Sequence, residues 1–165
     1  LAKYINSNGY LILTGNSMDL FGKYIKTYDE KLDALDIFDY YVEYLKDSNL
    51  KNASTDRIVG EVSAKSKFVK DKIIGFQNRC DLVHNVKTPL FEIDENYSND
   101  LQSNNEGFTY KNVFASHIIG PLLIRNPHFL DYILEKICKE KKPAQISTRK
   151  SPLDSEKLSL VIQSI

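Results

Sequence analysis

The stretch "LILTGNSMDLFG", residues 11–22, decides how this chain is read. An aliphatic run at residues 11–13 gives way to Gly15, Asn16 and Ser17, and then to spacing that reads as a helix. A strand turning sharply into a helix is the layout of a nucleophile elbow, which lifts one side chain above a sheet. Gly15 and Asn16 carry no attacking group, so Ser17 is the sole nucleophile within the turn.

Working outward, "LAKYIN" reads as a helix stopped by Asn8-Gly9, and "YLIL" as a short buried strand. "MDLFGKYIKT" has helical spacing, with Leu20, Phe21, Tyr24 and Ile25 on one side. β-rich segments follow. They include Ile37, Tyr41 and Val42, then "RIVGEV" and "KIIGF", whose glycines predict a bulge or turn. "DENYSNDLQSNNEG" predicts an exposed loop, and "FTYKNVFASHIIGPLL" a strand broken at Gly120-Pro121. The surest element is a late helix capped by Asn126, with Pro127 at its first position. Its apolar stripe is Phe129, Leu130, Ile133, Leu134 and Ile137, and Cys138 is expected in the core beside it. His128, in the first turn, is expected to face solvent. Lysines and Pro143 end this helix; the tail beyond reads as a linker and a short amphipathic helix.

The 165 residues suit one domain with a sizeable core. With 22 basic and 22 acidic residues the formal charge is zero, which argues against nucleic acid as the main partner. No apolar run approaches the roughly 18 residues that cross a bilayer. "LAKYINSNGY" lacks the apolar segment of a signal peptide. Cys80 and Cys138 form neither a disulfide framework nor a metal-ligand spacing, so the expectation is a cytoplasmic chain with no metal and no cofactor. The chain opens on Leu1 and reaches its turn within about a dozen residues, from which missing N-terminal strands are expected.

Taken in order, the turn, "LFGKYI", "ALDIFDYY", "RIVGEV", "IIGFQNR" and "GFTYKNVFASHIIGPLLIRNPHFLDYIL" resemble the later two thirds of a class I glutamine amidotransferase domain of the cobyric acid synthase type. The closest variety is the small amidotransferase subunit of lipid II isoglutaminyl synthases. "GPLLIRNPHFLDYIL" is the most specific block. The resemblance implies an α/β fold with a Rossmann-like (flavodoxin-like) sheet and flanking helices. It places the amidotransferase-like domain at residues 1–141 and leaves 142–165 as linker and helix. It also implies a partner, a Mur-ligase-like or other ATP-dependent amidating synthetase, and glutamine as ligand if the pocket survives.

Such domains attack the glutamine amide with a Cys thiolate assisted by a His, and release ammonia to the synthetase. Here the Cys position is Gly15 and the His position, directly before Gly-Pro-Leu-Leu, is Ile119. Neither can attack or carry a proton, so the resemblance implies a degenerate subunit that binds a ligase. Glycine also relieves the backbone strain of an elbow. Two rival readings remain. An active ammonia-supplying subunit would need a displaced thiol, for which Cys80 is the candidate. A serine hydrolase would use Ser17 with His117 as base, although Asp19 stands where Gly-x-Ser-x-Gly has its last glycine. Against these, Ser17 reads equally as a helix cap and His117 as an interior histidine. Asn16 and the run Gln77, Asn78, Arg79 are candidate ligand contacts; the run reads equally as a strand exit.

Overall fold

A computed structural model describes residues 1–45 and 57–140. Helix α1 (Ala2–Asn6) comes first, and Asn8 closes it in the left-handed region with φ 62°. Strand β1 (Leu11–Thr14) follows, as the aliphatic run predicts. The helix expected next does not form. Two single 3-10 turns, Gly15–Ser17 and Asp19–Phe21, stand in its place, and the chain then runs extended as β2 (Tyr24–Lys26). Gly22 explains the change. Its backbone is extended, and a Cβ there would lie 2.7 Å from the Tyr40 ring, so the chain leaves the turn pressed against that tyrosine.

Further strands are β3 (Lys31–Asp33), β4 (Tyr41–Tyr44), β5 (Ile58–Ser66), β6 (Ile73–Arg79), β7 (Asp81–His84), β8 (Phe91–Glu92), β9 (Asn105–Glu106), β10 (Phe108–Tyr110) and β11 (Val113–Ser116). Helices α2 (Leu122–Arg125) and α3 (Pro127–Glu140) close the described chain. The strands make three sheets, ordered β1-β11-β10, β3-β2-β4-β7 and β6-β5-β8-β9. Two pairs are parallel, β1 with β11 and β2 with β4; the others are antiparallel. The fold is therefore mixed α/β, with several sheets and flanking helices, compatible with a Rossmann-like arrangement.

Three local expectations are corrected. Gly60 and Gly75 mark no bulge, because β5 and β6 pair without interruption from Ile58↔Arg79 to Ala64↔Ile73. The glycines instead allow close approach: a Cβ on Gly75 would lie 2.1 Å from Ile118 Cγ2. "FTYKNVF" is a hairpin, β10 to β11, turning at Lys111 with φ 53°. The Asn/Ser-rich stretch is not simply an exposed loop, for Ser98, Asn99 and Glu106 are buried in it. Asn99 holds it closed by accepting from Gly107 N–H at 2.8 Å and donating to Gly107 O at 2.9 Å.

Leu13, Met18, Phe21, Tyr40, Val42, Val83, Phe108 and Val113 build one buried core with Ile5 of α1. Elsewhere Phe129 of α3 sits edge-on to Phe114 and Phe91, with ring centroids 6.0 and 5.4 Å away. Ring pairs in this geometry contribute about 0.5–1.5 kcal/mol each beyond their buried area. The Asn126 side chain does not cap α3. It accepts from Ile74 N–H and donates to Ile74 O and Leu122 O, tying α2 and the start of α3 to β6.

The described chain divides at Ile133, with residues 134–140 falling in a second unit. In that unit Lys139 and Glu135 pair at 3.1 Å, and Cys138, expected in the core, is exposed. His128 is half-buried rather than facing solvent. The expected linker, short helix and domain boundary near residue 141 lie outside the described residues. Among the described residues, no helix is long and apolar enough to cross a membrane.

Candidate functional site

The chain segments leaving β1 and β11 run side by side, since those strands pair in parallel from Leu11↔Val113 to Thr14↔Ser116. Residues 15–19 and 117–119 therefore meet at one end of the sheet. The two positions that the resemblance assigns to Cys and His come together there. A Cβ built on Gly15 would lie 3.4 Å from Ile119 Cγ2. Gly15 has φ +57°, a conformation that costs a side-chain-bearing residue roughly 1–2 kcal/mol. Ile119 is held by paired backbone bonds to Phe76, at 2.8 and 3.1 Å, before the chain turns at Gly120 with φ +78°. The meeting point is apolar, and only a single 3-10 turn follows Gly15. An elbow draws its electrostatic help from aligned N–H groups at the start of a full helix, and that help is weak here.

Ser17 closes the 3-10 turn. Its hydroxyl donates to Thr14 O at 2.7 Å and accepts from Thr14 N–H at 3.0 Å, a reciprocal cap. No described hydrogen bond joins it to His117, whose ring bonds elsewhere. Asn16 is exposed and donates to the Tyr44 hydroxyl at 3.3 Å. Cys80 is half-buried, and burial pushes its thiol up, opposed only in part by Arg57. That disfavours the thiolate a nucleophile requires.

The run Gln77, Asn78, Arg79 lies within β6, not beyond it, and the alternation of a strand divides it. Asn78 points out and accepts from Arg57 at 3.0 and 2.5 Å. Gln77 and Arg79 point inward and are buried. The Arg79 guanidinium donates to Asp81 O, to Ser98 O and to Gln77 Oε1, the last at 3.3 Å.

These inward residues belong to a buried polar cluster that is the most unusual feature of the molecule. Asp19, Arg79, Asp81, Glu106 and His117 are all at most 2% exposed. His117 Nε2 lies 3.1 Å from Asp81 Oδ2 and 3.4 Å from Asp19 Oδ1. Burial opposes a charged imidazole, yet the hydrogen bonds to Asp19 and Asp81 raise its pKa to about 9. Asp81 is also buried, but His117 and Arg79 outweigh this and hold its carboxyl below the usual range. Glu106 is pushed up by burial, although it accepts from His117 N–H at 2.8 Å and from Ser116 Oγ at 2.9 Å. The Tyr44 hydroxyl donates to Asp19 Oδ2 at 3.0 Å and is pushed up to about 12 by burial. Asp19, Asp81 and His117 each offer an atom within 4.8 Å of the others, so they could hold a metal ion.

His117 was the one member of this cluster singled out as a base or interior histidine, and Gln77 and Arg79 as ligand contacts. Asp81 and Glu106 carry no such signal in the sequence, and Asp19 stands out there only as a departure from Gly-x-Ser-x-Gly. Glu106 sits in a polar stretch whose composition reads as solvent-exposed, and no local pattern marks an acidic residue for burial.

A cavity of about 460 Å³ opens elsewhere, among Phe38, Tyr40, Phe108 and Tyr110. None of Gly15, Ser17, His117 or Ile119 lines it.

The likeness to known proteins points to one class, the subunits of a glutamine-hydrolyzing synthase. No family model matches the chain. The lipid II isoglutaminyl synthase (glutamine-hydrolyzing) subunit GatD of Staphylococcus aureus (strain N315) is 30% identical over 131 residues, 79% of this chain and 50% of that protein. The subunit of the same name from Streptococcus pneumoniae (strain ATCC BAA-255 / R6) is 25% identical over 145 residues, 86% of this chain and 52% of that protein. The chain thus spans about half the length of the curated relatives it matches.

Proposed function

We propose that this chain is a catalytically degenerate class I glutamine amidotransferase-like subunit, of the cobyric acid synthase type, that binds a Mur-ligase-like amidating partner in peptidoglycan synthesis. The partner class rests on the likeness to GatD subunits, whose name makes them parts of a glutamine-hydrolyzing synthase. One observation supports the loss of activity above the others: a Cβ built on Gly15 would lie 3.4 Å from Ile119 Cγ2, so the two positions that the resemblance gives to the nucleophile and the histidine adjoin. A glycine has no nucleophile and an isoleucine no titratable group. The hydrolase alternative is disfavoured by the Ser17 hydroxyl, which is committed to Thr14.

The test is ammonia release from glutamine by the full-length protein, alone and with its ligase. We expect no release and a stable complex with the ligase. Release that disappears in Cys80→Ser would overturn the reading in favour of a displaced thiol. Labelling of Ser17 by a fluorophosphonate probe would overturn it in favour of a hydrolase.

A further inference from the structure

We infer that Asp19, Asp81 and His117 form a buried structural site for a divalent transition-metal ion of the zinc class. Three observations carry the inference, and it stands apart from the amidotransferase reading. The first is spacing. Zinc binds nitrogen and oxygen ligands at roughly 2.0–2.2 Å, which sets the ligand atoms of a tetrahedral ion roughly 3.3–3.6 Å apart. The two ligand pairs around His117 Nε2 measure 3.1 and 3.4 Å and all three ligand atoms lie within 4.8 Å of one another, so the two carboxylates would close in on an ion seated beside the imidazole.

The second observation is an orphaned atom. Asp81 is 0% exposed, yet its Oδ1 accepts no hydrogen bond. A carboxylate oxygen taken from water without a donor is costly, and a bound cation removes that cost. The third is charge. Three buried carboxyl groups, Asp19, Asp81 and Glu106, share the cluster with one permanent cation, Arg79. With a neutral imidazole the buried carboxyl groups outnumber that one cation, and a divalent ion supplies positive charge where Asp19 and Asp81 converge.

The surroundings suit the same occupant. An imidazole nitrogen among the ligands favours zinc and its neighbours over calcium or magnesium, which prefer all-oxygen sites. Tyr44 donates to the second oxygen of Asp19, fixing that carboxylate from behind. Glu106 Oε1 lies 4.0 Å from His117 Nδ1, on the side where a ligating imidazole carries its proton. The three ligands come from the turn after β1, the start of β7 and the end of β11, so the ion would clamp three separate pieces of chain.

The experiment uses the full-length protein, stripped with a chelator and dialysed against micromolar zinc. Elemental analysis should find about one zinc per chain, and the melting temperature should rise with zinc and fall back with chelator. In Asp81→Asn and His117→Gln both signals should be lost, while the exposed control Asp39→Asn keeps them. Cobalt loaded into the wild-type protein should show visible d–d bands of a nitrogen–oxygen site, which serves if a variant does not fold. Less than equimolar zinc in the wild type, zinc retained in both variants, or cobalt without those bands would overturn the site.

Discussion

The same two chain segments build two opposite environments. Residues 15–19 and 117–119 contribute Gly15 and Ile119 to an apolar contact, and Asp19 and His117 to a buried charged cluster. At the first pair, two groups without charge or hydrogen-bonding side chains simply pack. At the second pair, charges that are costly to bury are kept side by side, with Asp81 Oδ1 left without a donor. Burial of this kind is seldom neutral. Paired charges in an interior are often no more stable than apolar residues of the same shape, but an interrupted network is much less stable. The comparison teaches that the polar cluster, rather than the elbow, is where a single substitution matters most.

The largest expected effect breaks the cluster at its cation. Arg79→Met should leave the carboxyl groups without their permanent charge and should cost about 3–5 kcal/mol in chemical denaturation. A loss below about 1 kcal/mol would show the network to be dispensable and would erase the contrast between the two regions. Next comes Gly75→Ala, which sets a methyl 2.1 Å from Ile118 Cγ2, between the two pairs. Overpacking of this kind costs about 1–3 kcal/mol. The same experiment should show whether both environments move together, because Ile118 sits between His117 and Ile119.

How much of this was legible follows from where each signal lives. β1, β5, β6 and α3 announce themselves through local aliphatic runs, β-branched residues and the Asn-Pro start of a helix. The 3-10 turns and β2 did not. Tyr24 and Ile25 fit a helical stripe as well as a strand, and the contact between Gly22 and Tyr40 decided the outcome. The hairpin at Lys111 lacks the glycine that usually marks so tight a turn. In the sequence, Gly15, Ile119 and His117 stand next to distinctive blocks, which is what draws attention to them. Asp19, Asp81 and Glu106 draw their meaning only from one another, across separations that no local pattern records.

Smaller effects sharpen the comparison further. In the metal-free protein, His117 titrates near 9 when folded and near 6.5 when unfolded. Its contribution to stability is complete below about 6.5 and fades as pH rises through about 9. Denaturation midpoints should therefore fall over that window in the wild type and fall less in His117→Gln. Gly15→Ala, in the apolar region, should cost only about 1–2 kcal/mol through its positive φ. Smallest of all is the surface. Asp39 pairs with Lys23 at 2.5 Å and Lys87 at 2.8 Å, which holds its pKa at about 2. These exposed charges are screened by solvent, so Asp39→Asn should shift the melting temperature by less than the resolution of the measurement.

The parallel pairing of β1 with β11 has a consequence in time as well as in space. Leu11 and Val113 lie about a hundred residues apart in the chain, and no hairpin can bring them together. Loop closure of that length must be met before the pairing rewards it, so such contacts form slowly and late. Both regions at the end of this sheet depend on that meeting. During synthesis, β1 waits for nearly all of the described chain to emerge. In refolding, the neighbourhood of Gly15 and His117 should be the last part to gain protection from hydrogen exchange.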